Sequence, residues 1–273
     1  MTDFVPAWAQ PFFDGVGEAP HLSLPARPSR EWAYGDGRGR GVRVAVVDTG
    51  IESGHPLVGE VAEFVSVRRE PDHPEGVEFA SGPHTDVYGH GTACAGIIRR
   101  LAPDVELVSV QVLNANMRAN TLAFAHALDW CIERRVHVVN LSLSTSNDAY
   151  AETFWDLVDQ AVQARVLLVC AMNNEPRRTI PSEFSGVFSV ACAPGLDPEV
   201  VWCNPHGPAD WGAAGIDVEV AWTGGSTIVA SGNSFAAPVV AGHLARIVAT
   251  HPGITPWQAR TVLATTASNA RAA

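Results

Sequence analysis

Four short runs of apolar residues, rich in Val and Leu, alternate along the chain with stretches in which apolar residues recur every three or four positions. The runs predict buried strands at residues 42–47, 107–113, 136–143 and 166–170. Strands that are apolar on both faces and alternate with helices are typical of a parallel sheet. We therefore predict an α/β fold with a doubly wound, mostly parallel sheet and helices on both faces.

Amphipathic helices are predicted between these strands. One apolar face runs from residue 122 to residue 132 and follows Asn120, which suits an N-cap, and a second runs from residue 154 to residue 161. A last helix is predicted from near Ser234 to Thr250, and Phe188–Ala193 is predicted to add an edge strand. The helices are long enough to connect parallel strands, as the predicted fold requires.

The two regions without clear periodicity lie at the start of the chain and before the last helix. Residues 1–40 are rich in Pro, Gly and aromatic residues and are expected to form an arm wrapped on the core of a single domain spanning residues 1–273. Residues 194–232 are expected to be mostly loops. Ligands bind beyond the carboxyl ends of the strands in open parallel sheets. Asp48 and Asn174 closely follow two predicted strands and should share that rim.

Three glycine-containing segments carry residues suited to acyl transfer. They read Val-Asp48-Thr-Gly, Gly-His90-Gly-Thr and Gly-Asn-Ser234-Phe-Ala-Ala-Pro. A serine hydroxyl needs an adjacent base to take its proton, and a histidine base needs a carboxylate on its other ring nitrogen to fix the tautomer. Ser234 falls where a helix should begin, and the free N–H groups there favour developing negative charge. We predict Asp48, His90 and Ser234 as a catalytic triad.

These three motifs, in this order, resemble those of the subtilisin-like serine proteases over roughly residues 30–268. The resemblance implies a serine endopeptidase with Ser234 as nucleophile. It also implies that Asn174 donates a hydrogen bond to the oxyanion, because the segment around it is similar to the family's Ala-Ala-Gly-Asn-Glu. Asn173 stands where the family has Gly, and asparagine tolerates the left-handed backbone angles expected there. Asn233 stands where the family usually has Thr.

The same resemblance implies that the substrate is held extended between two strands. The predicted substrate-binding residues are Ser142, Leu143, Ser144, Met117, Arg118 and Ala119. The first three would pair with the substrate backbone at the end of a strand that forms one wall of the S1 pocket, and the last three would lie on the other side of the peptide. Asp86 is expected to be a solvated loop carboxylate, with a position facing the substrate as the alternative.

No metal or cofactor is predicted. Relatives with a high-affinity calcium site carry an extra loop between the histidine helix and the next strand, and here residues 96–104 connect the two directly. Calcium prefers about six to eight oxygen ligands, and the segment does not supply them.

The composition limits the partners that are expected. The net charge is −11 and every basic residue is arginine, so nucleic acid is not expected and a neutral or cationic polypeptide is favoured. No apolar stretch approaches the roughly 18–20 residues of a membrane span. A polypeptide or precursor peptide is therefore the predicted partner, and the oligomeric state stays open.

The cysteines and the first residues favour the cytoplasm. The five cysteines are odd in number and include no Cys-x-x-Cys pair, which predicts free thiols. The first residues lack the basic and apolar regions of a signal peptide. Only 47 residues precede Asp48, fewer than a catalytic domain with the family's pro-domain needs, so the chain either folds unaided or was cut from a longer precursor. We therefore expect an intracellular processing protease, such as one that removes leader peptides from ribosomally made natural products. A peptide-binding pseudoprotease and a broad degradative protease are the alternatives.

Overall fold

The computed structural model describes residues 9–15, 23, 25 and 28–270. Much of the predicted N-terminal arm therefore lies outside the described residues. Two short helices belong to its described part, α1 (Gln10–Phe13) and α2 (Arg30–Tyr34). The hydroxyl of Ser29 accepts a hydrogen bond from the N–H of Trp32 at 3.1 Å, which caps α2.

Eleven strands are present in the described part of the chain. Their bounds are β1 (Arg43–Asp48), β2 (Glu63–Arg69), β3 (Val77–Ser81), β4 (Glu106–Gln111), β5 (Val138–Leu141), β6 (Leu167–Ala171), β7 (Phe188–Ala193), β8 (Val201–Cys203), β9 (Trp211–Ala214), β10 (Val218–Trp222) and β11 (Ser226–Ala230). Nine form one sheet in the order β3-β2-β4-β1-β5-β6-β7-β9-β8, and β10 pairs with β11. Only β3 and β8, at the two edges, pair antiparallel in the large sheet. The predicted α/β fold is confirmed.

Longer helices cover both faces of the large sheet. They are α3 (His90–Leu101), α4 (Thr121–Glu133), α5 (Ala151–Gln163), α6 (Asn233–Thr250) and α7 (Pro256–Thr265), with a 3₁₀ turn at Asp148–Tyr150. Val44 and Val46 of β1 face the cluster that contains α3 and α6, whereas Ala45 and Val47 face the cluster that contains α4 and α5. The alternation places one apolar layer on each side of the sheet.

The predicted helix starts are close to the observed ones. The side-chain oxygen of Asn120 accepts hydrogen bonds from the N–H groups of Leu122 and Ala123 at 3.0 and 3.4 Å, so the predicted N-cap is confirmed. The helix predicted from near Ser234 to Thr250 is α6, which begins at Asn233, one residue before the predicted start. The expectation that it is the last helix is wrong, because α7 follows it at Pro256–Thr265. Among the described residues no helix has both the length and the apolar character needed to cross a membrane.

Two expectations about the strands in the second half of the chain are wrong. Phe188–Ala193 is an inner strand, because β9 pairs with it on the side away from β6. Residues 194–232, expected to be loops, contain β8, β9, β10 and β11. These strands have three to five residues and several of their side chains are exposed, so they leave little hydrophobic periodicity in the sequence.

Candidate active site

Three elements bring Asp48, His90 and Ser234 together at the carboxyl end of the sheet. Asp48 ends β1, His90 begins α3 and Ser234 lies in the first turn of α6. Nδ1 of His90 is 2.9 Å from both carboxylate oxygens of Asp48, and Nε2 is 2.9 Å from Oγ of Ser234. In the tautomer that fits these contacts, Nδ1–H donates to Asp48 and the serine hydroxyl donates to Nε2.

The carboxylate of Asp48 is fully buried and held by its neighbours. Its Oδ1 accepts a hydrogen bond from the N–H of Thr49 at 2.8 Å, and the hydroxyl of Thr49 accepts one from the N–H of Gly91 at 3.0 Å. These bonds tie the end of β1 to the start of α3. The buried charge therefore has the partners that a buried carboxylate requires.

His90 is a buried base whose proton affinity depends on Asp48. Burial is the largest single effect and lowers the pKa of His90, but the contacts with Asp48 and Cys94 together outweigh it and raise the pKa well above its ordinary value. The imidazolium ion is thus stabilised where it would form during proton transfer from Ser234.

The glycines on either side of His90 have steric roles. A Cβ on Gly91 would lie 2.0 Å from the carbonyl oxygen of Gly50, so a larger residue would push α3 away from Asp48. Gly89 has a φ of 124°, and a Cβ there would lie 2.5 Å from the ring of Trp222. The close approach of His90 to Asp48 needs both glycines.

Asp86 is buried, which contradicts the expected solvated position. Oδ1 accepts hydrogen bonds from the N–H groups of Tyr88 and Gly89 at 2.9 and 2.7 Å. Oδ2 accepts from the N–H and the hydroxyl of Thr92 at 2.9 and 2.7 Å. Asp86 thus fixes the turn that leads into His90, a positioning role that the sequence did not reveal because local pattern does not show where a loop carboxylate points.

Pro238 affects the site through a missing N–H group. Because proline has no N–H, the carbonyl of Ser234, four residues earlier in α6, lacks its usual helical donor. The hydroxyl of Ser142 donates to that carbonyl at 3.1 Å, and the thiol of Cys94 approaches it at 3.5 Å. The side chain of Asn140 donates to the Ser142 oxygen at 2.9 Å. The backbone of Ser234 is therefore attached to α3 and to the segment that directly follows β5.

Asn174 lies in the cleft beside Ser234. Its Oδ1 accepts a hydrogen bond from the N–H of Asn233 at 2.9 Å, and its Nδ2 lies 3.5 Å from the position that a Cβ on Gly232 would take. The bond to Asn233 fixes the amide so that its N–H groups are the end available to the cleft. Its neighbour Asn173 is not among the residues with positive φ, so the expected left-handed backbone at that position is wrong.

Asn233 connects the start of α6 to two strand ends. Its Oδ1 accepts from the N–H of Cys192 at 2.8 Å, and its Nδ2 donates to the carbonyls of Met172 and Asn173, both at 3.2 Å. Since β6 and β7 end here, the side chain supports the segment that carries Asn174. Asn233 thus makes three hydrogen bonds around the site.

A cleft of about 790 Å³ opens at Ser234 and His90. Its lining includes all of the predicted substrate-binding residues: Met117, Arg118, Ala119, Ser142, Leu143 and Ser144. Arg177 and Glu175 also line it and pair with each other at 3.5 Å, which sequence reasoning did not anticipate. The structure therefore places both of these chain segments on the walls of the cleft.

One group of potential metal ligands occurs within the described ranges. It consists of Asp48, His90 and Cys94, whose ligand atoms all lie within 4.8 Å of one another. Burial raises the pKa of the Cys94 thiol, which keeps it protonated near neutral pH. His90 and Asp48 are hydrogen-bonded to each other, so this group coincides with the predicted triad and is no separate centre. All five cysteines are free thiols, as predicted.

Comparisons of the sequence and of the structure with known proteins point to the same family. The profile of the Subtilase family matches residues 39–273. The chain is 34% identical over 237 residues to a thermostable alkaline protease of Halalkalibacterium halodurans, covering 81% of this chain and 61% of that protein. It is 30% identical over 242 residues to subtilisin BL of Lederbergia lenta, covering 85% of each. A cold adapted subtilisin-like serine proteinase of known structure aligns with a TM-score of 0.67 at 25% identity, over 85% of this chain and 86% of that one.

Proposed function

The chain belongs to the subtilase family, and from that premise we propose that it is a serine endopeptidase. The observation that carries the proposal is the continuous hydrogen-bonded line from Asp48 through His90 to Ser234 at the base of a cleft. We propose one peptidase domain over residues 1–273, because both apolar layers belong to a single sheet.

In the proposed reaction, Oγ of Ser234 attacks the carbonyl carbon of the scissile peptide bond while Nε2 of His90 takes its proton. The carbonyl oxygen becomes an oxyanion, and Asp48 stabilises the imidazolium ion. His90 then gives its proton to the amide nitrogen, the C–N bond breaks, and the amine leaves. Water, deprotonated by His90, attacks the acyl-enzyme, and Ser234 leaves with a proton from His90.

The oxyanion would be held by two donors. Nδ2 of Asn174 is one, since the bond from Asn233 to its Oδ1 directs the amide N–H groups to the cleft. The backbone N–H of Ser234 is the other, because it lies in the first turn of α6 where helical N–H groups are free. Donors fixed before the reaction stabilise the developing charge without reorganisation.

The peptide would lie extended between two walls of the cleft. We propose that residues 142–144 pair with its backbone on one side and residues 117–119 on the other. Met117 has a φ of 57°, and its N–H donates to the carbonyl of Asn114 at 2.9 Å, so this wall is a tight loop. Backbone pairing of this kind binds many sequences, and side-chain pockets then select among them.

A fluorophosphonate label tests the proposal directly. We expect intact-mass measurement to show one adduct on the protein and none on the Ser234→Ala variant. Labelling requires an activated serine and an oxyanion site, so it reports the assembled triad. A folded protein that takes up no label but still binds peptides would support the pseudoprotease alternative instead.

We further propose a dedicated intracellular processing role, such as removal of a leader peptide in the cytoplasm. The support is the set of five free thiols, three of them buried, which fits a reducing compartment. Cell fractionation with an antibody against the protein tests the location. Recovery from the periplasm or the medium would contradict it.

Substrate breadth separates this role from general degradation. We expect a mixture of unrelated peptides to be cleaved at few positions, with one sequence context strongly preferred. Mass spectrometry of the products gives the cleavage sites. Efficient cleavage of most peptides at many contexts would support the broad degradative protease.

A further inference from the structure

A second cavity of about 370 Å³ adjoins the catalytic cleft. Leu113 and Arg118 line both cavities. The apolar walls of the second cavity are Val67, Val87, Val112, Leu113, Ala115 and Ala123. A peptide held along residues 117–119 would therefore pass the opening of this cavity.

Three arginines line the second cavity without a carboxylate partner. They are Arg68, Arg69 and Arg118, all exposed. No ion pair within 4 Å joins any of them to a carboxylate among the described residues. Glu78 lies opposite Arg68 in the β2–β3 ladder but makes no such pair. By contrast, Arg177 of the catalytic cleft pairs with Glu175 at 3.5 Å.

Arg68 is held at the cavity by a buried amide. Gln111 is 4% exposed, and its Nε2 donates to the carbonyls of Thr49 and Thr85 at 2.8 and 3.0 Å. Its Oε1 accepts from the hydroxyl of Ser66 at 3.1 Å and from the guanidinium of Arg68 at 3.2 Å. Arg68 therefore loses less freedom on binding a ligand than an unrestrained surface arginine would.

Arg118 is carried by a tight loop at the boundary of the two cavities. Oδ1 of Asn114 accepts hydrogen bonds from the N–H groups of Asn116 and Arg118 at 2.9 and 3.2 Å. The N–H of Asn114 donates to the carbonyl of Arg118 at 3.0 Å. Arg69 is also attached, because its guanidinium donates to the carbonyl of Gly76 in the turn between β2 and β3.

We infer that this second cavity is a subsite for a glutamate or aspartate side chain of the substrate, located N-terminal to the scissile bond. The inference rests on the proposed function, since a peptide held in the cleft is what brings the side chain there. Guanidinium groups bind carboxylates through paired, charge-assisted hydrogen bonds. The apolar walls would contact the methylene groups.

The net charge of −11 favours a neutral or cationic substrate at long range. At physiological ionic strength, however, charges are screened over about 8 Å, so the nearest groups decide which side chain a subsite binds. Here the nearest groups are Arg68, Arg69 and Arg118. This subsite is therefore expected to select an acidic side chain although the protein as a whole is negatively charged.

The test uses peptide pairs that differ in one residue. A cleavable peptide is synthesised with glutamate at each of the five positions before the scissile bond in turn, and each has a twin with glutamine there. We expect kcat/KM for one position to be roughly 10-fold higher for glutamate than for glutamine, and the ratio to fall as NaCl is added.

Arginine variants locate the preference. We expect the Arg68→Gln/Arg69→Gln/Arg118→Gln triple variant to lower the glutamate-to-glutamine ratio to about one. Arg100→Gln is the matched control, because Arg100 is exposed on α3 and lines neither cavity. Fluorophosphonate titration of each preparation counts assembled sites, so the ratio is not affected by misfolded protein.

Binding gives a readout that does not depend on hydrolysis. The same peptide pairs, labelled with a fluorophore, are titrated with the Ser234→Ala variant, and we expect the same preference in Kd. Cleavage without any preference for glutamate, or a preference that survives in the triple variant, would overturn the subsite. Preferred binding of glutamate without cleavage or labelling would instead overturn the proposed peptidase and leave the subsite standing.

Discussion

The two ends of helix α3 use buried polar groups in opposite ways. At the first residue, His90 is bonded on one side to the carboxylate of Asp48 and on the other to the hydroxyl of Ser234. The second partner is a group that can give up its proton. This end of the helix is therefore organised so that one hydrogen bond can become a proton transfer.

At the other end, Arg99 makes bonds that have no reactive partner. Its guanidinium donates to the carbonyl oxygens of Val58, Glu60, Pro103 and Val105 at 2.8, 3.0, 2.8 and 2.7 Å. Partial burial lowers the pKa of Arg99, but a guanidinium remains charged at any ordinary pH. The segment before α3 and the segment after it are thus joined by one fixed cation.

The comparison shows that the hydrogen-bond partner of a buried polar group decides its role. A partner that can give up a proton favours reactivity, whereas carbonyl partners favour stability. Carbonyl oxygens are also ligands that calcium prefers. In this chain the carbonyls on both sides of α3 receive a side-chain cation instead. We therefore expect substitutions near His90 to alter catalytic rates and substitutions at Arg99 to alter the free energy of unfolding.

The largest expected effect is at the reactive end. Asp48→Asn should lower kcat by about 10⁴-fold, because an amide fixes the wrong tautomer of His90 and does not stabilise the imidazolium ion. Steady-state kinetics checks this, with Asp156→Asn on the exposed face of α5 as the matched control. A loss below tenfold would mean that Asp48 does not act through His90.

A smaller rate effect is expected at the oxyanion. Asn174→Ala should lower kcat by about 10²–10³-fold with little change in KM, because the donor acts on the transition state. Asn173→Ala is the control, since the Asn173 side chain accepts the N–H of Glu175 at 2.8 Å. If Asn173→Ala lowers kcat more than Asn174→Ala does, the assignment of Asn174 to the oxyanion is wrong.

At the structural end, Arg99→Met should reduce the free energy of unfolding by about 2–4 kcal/mol, since four carbonyls lose a charged donor. Denaturant unfolding checks this, with Arg100→Met as the control because that neighbour is exposed. The kcat of the folded Arg99 variant should be close to that of the parent. An equal loss of unfolding free energy in the Arg99 and Arg100 variants would show that the four bonds of Arg99 do not stabilise the fold.

The pH profile distinguishes the two ends further. His90 must be neutral to accept the proton of Ser234, and its pKa is raised, so the protonated, inactive form persists to higher pH. We expect kcat/KM to rise with pH through a midpoint above 6.5, the ordinary value for histidine. The Arg99→Met variant should keep that midpoint. A midpoint below 6.5 would contradict the assigned effect of Asp48.

The smallest expected effect is that of calcium. Because Arg99 already binds the carbonyls on both sides of α3, adding calcium should leave the melting temperature nearly unchanged. Thermal unfolding with and without calcium, with magnesium as the control cation, checks this. A strong rise in the melting temperature with calcium alone would show a site that the sequence does not predict.

Much of the site could be predicted because its information is local. Asp48 follows a run of apolar β-branched residues, and glycines flank His90, so strand end and helix start are visible in the sequence. The burial of Asp86 is not visible in the sequence, because its donors come from the turn before α3 and from Thr92 within α3, and the pattern does not encode how these meet. The strands after residue 194 were missed because they are short and half exposed.

The sequence by itself determined the parallel sheet and the motifs of the predicted triad, since periodicity and motif order carry that information. Only the tertiary structure decided that Arg68 and Arg118 line one cavity and that Arg99 reaches carbonyls on both sides of its helix. Such groupings depend on which strands pair and how closely helices pack. Residues far apart in the chain then become neighbours, and neither spacing nor composition records that.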